Sequence, residues 1–205
     1  MMIYSYLALG DSYTIGELVE ASHSFPYQTV ALLNTGENNF TFHSPKIIAT
    51  TGWTTDELNA AIEKAGLLDT YDIVTLLIGV NNQYRGRTTE NFSIEFEGLL
   101  QKAIAFANNK PHHVIVLSIP DWGVTPYAVN RPAEKIRAEI DAYNVICKNT
   151  AEQFFCHYID ITEQQRADGY KEDFLASDFL HPSAMEYSKW AQKLAERIHQ
   201  IYQSP

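Results

Sequence analysis

The chain has 205 residues, of which 45% are hydrophobic and 20% charged, a balance typical of a soluble globular protein with a full-sized core. Its formal net charge of -10 argues against nucleic acid or an anionic membrane surface as the main partner, because both attract basic proteins. The length fits a single α/β domain over residues 1–205.

Short apolar runs alternate with longer amphipathic segments along the whole chain. Most of the runs are rich in Val and Ile, which is typical of parallel strands buried on both faces, and they predict strands over residues 3–9, 46–50, 72–78, 113–119 and 155–159. The amphipathic segments predict helices over residues 25–33, 55–64, 89–108, 133–153 and 184–202. This order predicts a three-layer α/β/α sandwich around a parallel sheet with right-handed crossovers.

Two of the predicted helices begin with a capping box. Thr54 is followed by Glu57, and Ser183 is followed by Glu186. In such a box the first hydroxyl and the later carboxylate each accept from a free backbone N–H, so these positions predict well-defined helix starts.

The amino terminus and the cysteines indicate the cellular setting. Residues 1–7 lack a basic segment followed by a long apolar one, so we expect a strand there rather than a signal peptide. No apolar run approaches the length of a membrane span, and a cytoplasmic location is expected. Cys147 and Cys156 do not have the spacing of metal ligands, and buried thiols are favoured over a disulfide.

Ser12 lies where the first predicted strand ends and a helix is expected to follow. The carboxyl ends of parallel strands are where open α/β sheets bind their ligands. A serine after an aspartate is more often a helix cap, and a serine hydroxyl reacts as a nucleophile only beside a base. The glycines at 10 and 16 fit neither a dinucleotide nor a phosphate-binding loop, and Thr14 excludes the G-x-S-x-G turn.

His181 is the strongest candidate base among the seven histidines. Pro182 disfavours helical geometry at this histidine, which places it on the loop before the last helix. Asp178, three residues earlier, can orient the imidazole, and Asp160 at the end of a predicted strand is an alternative. Asp11 is expected to brace the turn beside the serine.

Candidates for stabilising an oxyanion follow three predicted strands. They are the N–H groups of Ser12 and Gly52 and the side-chain amide of Asn81. Each has an ordinary structural alternative as a turn or cap residue. Because the ends of parallel strands meet at one sheet edge, the set together favours an acyl-transfer site.

These segments together resemble the SGNH hydrolases, also called the GDSL lipase and esterase family. The resemblance covers nearly the whole chain through the motifs Gly10-Asp11-Ser12, Gly52, Gly79-x-Asn81 and Asp178-x-x-His181. It implies that Ser12 is the nucleophile, that His181 and Asp178 are its base and the orienting acid, and that Gly52 and Asn81 serve the oxyanion. It further implies a flavodoxin-like sheet of five parallel strands and no metal or organic cofactor. One position departs from the family pattern, because Asn82 stands where the family usually has aspartate; we expect it to keep the shape of the loop.

The resulting hypothesis is a serine esterase that hydrolyses small-molecule carboxylic esters through an acyl-serine. Tyr84, Arg85 and Trp122 are the candidate substrate-binding residues, with Arg87 and Tyr127 beside them. They suit either a short acyl ester, such as an acetyl ester, or a lysophospholipid whose phosphate meets an arginine. The alternative is a non-catalytic flavodoxin-like domain that binds a nucleotide or another small ligand. That alternative predicts a copurified cofactor and no reaction with fluorophosphonates. Oligomeric state stays open.

Overall fold

A computed structural model describes residues 2–35 and 39–203 of the chain. Its strands are β1 (Met2–Tyr4), β2 (Tyr6–Gly10), β3 (Phe40–Phe42), β4 (Lys46–Ala49), β5 (Ile73–Leu77), β6 (Val114–Leu117) and β7 (His157–Ile159). Its α-helices are α1 (Ser12–Ile15), α2 (Phe25–Thr35), α3 (Thr55–Lys64), α4 (Val80–Tyr84), α5 (Thr89–Phe106), α6 (Ala133–Gln153), α7 (Thr162–Asp168) and α8 (Ala184–Gln203). Short 3-10 turns join several of these elements.

A five-stranded parallel sheet with the order β4-β2-β5-β6-β7 forms the centre of the described chain. Strands β2, β5 and β6 are buried along their whole length, which explains their continuous apolar sequence. Helix α2 packs on α8, and α5 packs on α3 and α6, so that helices flank the sheet. The predicted α/β/α sandwich is confirmed. The order reverses beside β2, the kind of position where open sheets form a ligand crevice.

The predicted first strand is two strands in the structure. Residues 3–9 are divided at Ser5, whose N–H and hydroxyl both donate to Asp72 Oδ2, at 2.8 and 2.7 Å. Strand β2 continues into the main sheet, whereas β1 pairs in parallel with β3 in a separate two-stranded sheet. The prediction of one continuous strand was therefore wrong. Asp72, which is distant in sequence, binds Ser5 and interrupts the strand at that residue.

The remaining elements differ from the sequence prediction mainly at their ends. Helices α3 and α6 have the predicted bounds, and α1 is the helix expected beside Ser12, whereas α4, α7 and β3 were not predicted. The last strand begins at His157 rather than at residue 155, because Phe155 has a left-handed backbone with φ of 60°.

The predicted helix starts are formed in different ways. Glu57 accepts from the N–H of Thr54 at 2.9 Å, as a capping box requires. Ser183 Oγ accepts from backbone N–H groups at the start of α8. Glu186 is instead buried and accepts from Trp190 Nε1 at 3.0 Å, so the second box is only half formed.

Both cysteines are buried free thiols, as predicted, and burial raises the pKa of Cys156 to about 12. No helix within residues 2–35 and 39–203 is both long and apolar enough to cross a membrane.

Candidate active site

Ser12 lies at the first position of α1, separated by one residue from the end of the buried strand β2. The preceding residue, Asp11, caps this short helix, and its Oδ1 accepts from the N–H of Tyr13 at 3.0 Å. Gly16 ends the helix with a left-handed backbone and donates its N–H to the carbonyl of Ser12. The strand, cap and single helical turn fix the serine at the carboxyl edge of the sheet.

The hydroxyl of Ser12 is the first member of a hydrogen-bonded chain of three side chains. His181 Nε2 lies 3.0 Å from Ser12 Oγ, and His181 Nδ1 lies 2.6 Å from Asp178 Oδ2. The other carboxylate oxygen, Oδ1, accepts from the N–H groups of Leu180 and His181, each at 3.0 Å. The aspartate is thereby held against the loop, and the ring of Tyr13 packs on the imidazole with a centroid distance of 5.1 Å.

The environment of Asp178 fixes the tautomer of the histidine. Burial alone would raise the pKa of Asp178. Hydrogen bonds from the His181 ring and from the backbone outweigh this effect, so the pKa lies below the ordinary value for aspartate. An ionised carboxylate only accepts hydrogen bonds, so His181 Nδ1 donates and Nε2 is left to accept from the Ser12 hydroxyl. The arrangement can move a proton from the serine to the imidazole.

Two further groups at the same sheet edge can donate to a developing negative charge. Gly52, in the turn after β4, has a φ of 84°, a left-handed conformation that favours glycine. Asn81, in helix α4 after β5, donates one amide N–H to the carbonyl of Trp53 at 2.9 Å. Both residues line the cavity that Ser12 and His181 border.

Gly79 allows the chain to turn from β5 into α4. Its φ of 130° is rarely adopted by residues with a side chain, and an added Cβ would lie 2.6 Å from Ile119 Cδ1. The glycine therefore places Asn81 at the sheet edge without a clash.

The cavity is small and mostly apolar. Its volume is about 190 Å³, and its lining residues are Ser12, Tyr13, Thr51, Gly52, Val80, Asn81, Tyr84, Trp122, Tyr127, Leu180 and His181. None of these carries a permanent positive charge. The described residues contain no group of three or more His, Cys, Asp or Glu side chains arranged to hold a metal ion.

Comparison of the sequence with known families gives a match over residues 8–199 to the GDSL-like Lipase/Acylhydrolase family. The chain belongs to this family. No match was found among curated protein sequences.

Several solved structures share the fold of this GDSL-like protein. The lipase/acylhydrolase from Enterococcus faecalis has a TM-score of 0.74 and 20% sequence identity, with 98% of this chain and 97% of that chain covered. Axe2, an acetylxylan esterase from Geobacillus stearothermophilus, has a TM-score of 0.71 and 18% identity over 98% of this chain and 95% of that one. The esterase EstA from Pseudoalteromonas sp., in a structure inhibited by monoethylphosphonate, has a TM-score of 0.69 and 14% identity, with coverages of 98% and 100%.

Asn82, the residue that departs from the family pattern, is buried and bonds through its side chain to Thr55, the first residue of α3. Its Oδ1 accepts from the N–H of Thr55 at 3.1 Å, and its Nδ2 donates to Thr55 Oγ1 at 2.6 Å. The threonine hydroxyl in turn donates to Glu95. An amide suits this position because it accepts and donates to the same residue, and it leaves the hydroxyl proton for the glutamate.

The aromatic candidates for substrate binding lie at the cavity, whereas the arginines do not line it. Tyr84 and Tyr127 both stand edge-on to Trp122, with centroid distances of 5.4 and 6.2 Å. Arg85 donates to the carbonyl of Gly52, and Arg87 forms an ion pair with Asp56. Both guanidinium groups bond to the protein itself, and the substrate-binding role predicted for Arg85 stays a prediction.

Asp160, the alternative orienting acid, has a different structural role. Its Oδ1 accepts from the N–H groups of Thr162 and Glu163 at the start of α7. Asp178 is therefore the carboxylate that contacts His181.

Sequence reasoning missed the residues that hold the Trp122 wall of the cavity. Trp122 Nε1 donates to Gln83 Oε1 at 2.8 Å, and Gln83 Nε2 donates to Glu139 Oε2 at 2.7 Å. These bonds join residues 39 and 56 positions apart, so no local pattern could have found them.

Asp11 gives this turn a pH-dependent stability. Burial raises the pKa of its carboxyl to about 7, although the N–H of Tyr13 opposes the shift. Between the unfolded value of about 4 and pH of about 7, the folded state holds a proton that the unfolded state releases. The protonated Asp11 therefore contributes fully to the free energy of unfolding at low pH. As pH rises to about 7, the folded protein loses up to about 4 kcal/mol of this stability.

We expect Asp11→Asn to remove this loss, because the amide oxygen still accepts from Tyr13 and does not ionise. In urea unfolding from pH 5 to 8, the free energy of unfolding of the variant should increase relative to that of the wild type up to about pH 7. Above that pH the difference should stay constant. Parallel stability curves across this range would contradict the prediction.

Proposed function

We propose that this protein is a serine esterase that hydrolyses carboxylic esters with short acyl groups. The observation that carries the proposal is the chain of hydrogen bonds from Ser12 through His181 to Asp178, at 3.0 and 2.6 Å, on the border of a cavity. Membership of the lipase/acylhydrolase family supports the same reaction class. A domain that only bound a ligand would have no use for such a proton relay.

In the proposed reaction, the serine oxygen attacks the ester carbonyl while His181 Nε2 takes the hydroxyl proton. Asp178 stabilises the resulting imidazolium and holds its orientation. The negative charge on the carbonyl oxygen is stabilised by the N–H groups of Ser12 and Gly52 and the amide of Asn81.

Collapse of this intermediate breaks the bond to the alcohol oxygen, which leaves with the proton from the imidazolium. Water then attacks the acyl-serine with His181 again as the base, and the acid is released as Ser12 regains its proton. The inhibition of the structural neighbour EstA by monoethylphosphonate, as named for that protein, supports a nucleophile of this kind here.

The cavity supports a short acyl group over a lipid. Its volume of about 190 Å³ is below the range of about 300–1,000 Å³ typical of sites for larger ligands. The aromatic walls of Tyr84, Trp122 and Tyr127 suit a neutral group, and no lysine or arginine lines the cavity to meet a phosphate. The acetylxylan esterase activity named for the neighbour Axe2 is of the same kind.

We therefore expect kcat/KM for p-nitrophenyl acetate to exceed that for the octanoate by about tenfold or more, with lysophospholipid hydrolysed more slowly still. We expect the six further methylenes of octanoate to be too long for the space between the aromatic walls. The octanoyl transition state is then bound less well, which lowers kcat/KM. The assay compares the three substrates, with Ser12→Ala as the background control. Faster hydrolysis of octanoate or lysophospholipid would overturn the substrate class, and absence of any hydrolysis by folded protein would overturn the function.

A further inference from the structure

The Arg85 guanidinium contacts the turn that presents Gly52 to the cavity. Arg85 ends helix α4, and its Nη2 donates to the carbonyl oxygen of Gly52 at 2.7 Å. Its Nη1 lies 3.3 Å from Glu57 Oε2, the same oxygen that accepts from the N–H of Thr54. The guanidinium thus joins the first turn of α3 to the glycine turn.

Helix α4 holds this turn at two successive carbonyls. Asn81 Nδ2 donates to the carbonyl of Trp53 at 2.9 Å, and Arg85 donates to that of Gly52. Asn81 and Arg85 are four residues apart in the helical segment, so their side chains project from the same face. One helix face therefore fixes the peptide groups on both sides of Trp53.

The orientation of Gly52 matters because its backbone is in a conformation that only glycine adopts easily. With a φ of 84° and no side chain, the residue has little of its own to restrict rotation. Apart from the two neighbours in the chain, an added Cβ would meet only Arg85 Nη2, at 3.7 Å. The bond from Arg85 anchors the peptide group after Gly52, and the bond from the Trp53 N–H to the Thr50 carbonyl, at 3.2 Å, closes the turn around it. Together these two bonds leave the Gly52 N–H between them less freedom to turn.

We propose that Arg85 is a positioning residue for the oxyanion site, which it serves by holding the carbonyl of Gly52. The inference rests on the proposed esterase function, in which the Gly52 N–H receives the charge of the tetrahedral intermediate. Donors of this kind lower the barrier only when they are fixed at hydrogen-bond distance from the oxygen before it becomes charged. A looser turn binds the uncharged substrate equally well and stabilises the intermediate less.

This role differs from that of a substrate-binding cation, which the sequence suggested for the same residue. A substrate-binding arginine would act on KM and would favour anionic substrates. A positioning arginine acts on kcat, even for a neutral substrate such as p-nitrophenyl acetate.

The test compares Arg85→Met with the matched control Arg87→Met. Arg87 also pairs with the first turn of α3, with Nη1 2.7 Å from Asp56 Oδ1, but its bonds run to Asp56 and Glu95 rather than to the glycine turn. Both arginines are at least partly exposed, so both variants are expected to fold. Thermal melts verify this point before the kinetics are compared.

We expect Arg85→Met to lower kcat for p-nitrophenyl acetate about tenfold or more with little change in KM, less than the roughly 100-fold loss of removing a donor outright. Binding of ethylboronic acid, which forms a tetrahedral anion on the serine, should weaken by the same factor. Arg87→Met should leave kcat and boronate binding close to wild type.

Equal kinetics in the two variants, or a rise in KM alone for Arg85→Met, would overturn the role of Arg85 while leaving the esterase function intact. Loss of boronate affinity without loss of kcat would overturn it as well. By contrast, a folded wild type that neither hydrolyses the ester nor binds the boronate would refute the esterase function itself.

Discussion

Replacing Ser12 with alanine is expected to lower kcat for p-nitrophenyl acetate by a factor of about 10⁴–10⁶. The change removes the only atom in the Ser12–His181 contact that can form the acyl intermediate, and leaves the oxyanion donors and the cavity in place. The residual rate should therefore remain about 10³-fold or more above that of the uncatalysed reaction in water. Stopped assays with enzyme at high concentration measure such a loss.

The same experiment can test whether the serine and histidine work as a unit. His181→Ala should cost about as much as Ser12→Ala, and the double variant should be no slower than either single variant, because each change alone disables the proton transfer. Multiplicative losses would show that the two side chains act independently, contrary to the 3.0 Å contact between them.

A fluorophosphonate provides a second readout that does not depend on the choice of ester. The wild type should be labelled on the peptide that contains Ser12, and the alanine variant should not be labelled. Circular dichroism of the variant is the control for folding, since the lost hydroxyl contributes a single buried hydrogen bond. Labelling at another serine, or undiminished turnover by the variant, would refute the mechanism.

The parts of the fold that follow from local pattern were predictable from the sequence. Buried parallel strands such as β5 and β6 are continuous apolar runs, and long amphipathic segments such as α6 have the helical period. The convergence of Ser12, Gly52 and Asn81 on one cavity follows from the same reasoning, because each comes after a parallel strand. Their individual catalytic roles remain proposals.

The features that were not predictable depend on contacts between distant residues. The break between β1 and β2 exists because Asp72 binds Ser5 from 67 positions away. The bonds of Arg85 to Gly52 and Glu57 could be predicted only by knowing how α4 packs against the turn after β4 and the start of α3. A charged residue after a strand looks the same in sequence whether it faces a substrate or a neighbouring turn.

The largest effect on stability is expected from Arg166→Met. Arg166 Nε donates to Asp121 Oδ2 at 2.8 Å, and the side chains are 9% and 1% exposed. The same guanidinium bonds Asp141 and Glu163 at 2.7 and 2.9 Å, and these hydrogen bonds raise its pKa despite the opposing effect of burial. Methionine fills much of the space but leaves the Asp121 carboxylate buried without a counter-charge.

Breaking a buried ion pair from one side costs about 3–5 kcal/mol, a large part of the stability of an ordinary domain. For a chain of this size, the loss corresponds to a fall in Tm of about 6–20 °C. The matched control is Lys148→Met, which removes an ion pair to Glu152 whose side chains are 56% and 62% exposed and should cost less than about 1 kcal/mol. Urea unfolding of both variants measures the difference.

A second substitution can show whether Arg166→Met loses stability because the Asp121 charge is unpaired or because the packing is disturbed. Asp121→Asn in the Arg166→Met background removes the buried charge, while an amide oxygen can still accept from the N–H of Gly123, as Oδ1 does at 2.9 Å. We therefore expect the double variant to recover part of the stability that the single variant loses, because neutralising the unpaired charge removes most of its desolvation cost. A double variant that is no more stable than the single one would mean that the methionine disturbs packing rather than charge. Because Asp121 directly precedes Trp122, the same pair also connects the stability of the fold to the wall of the cavity.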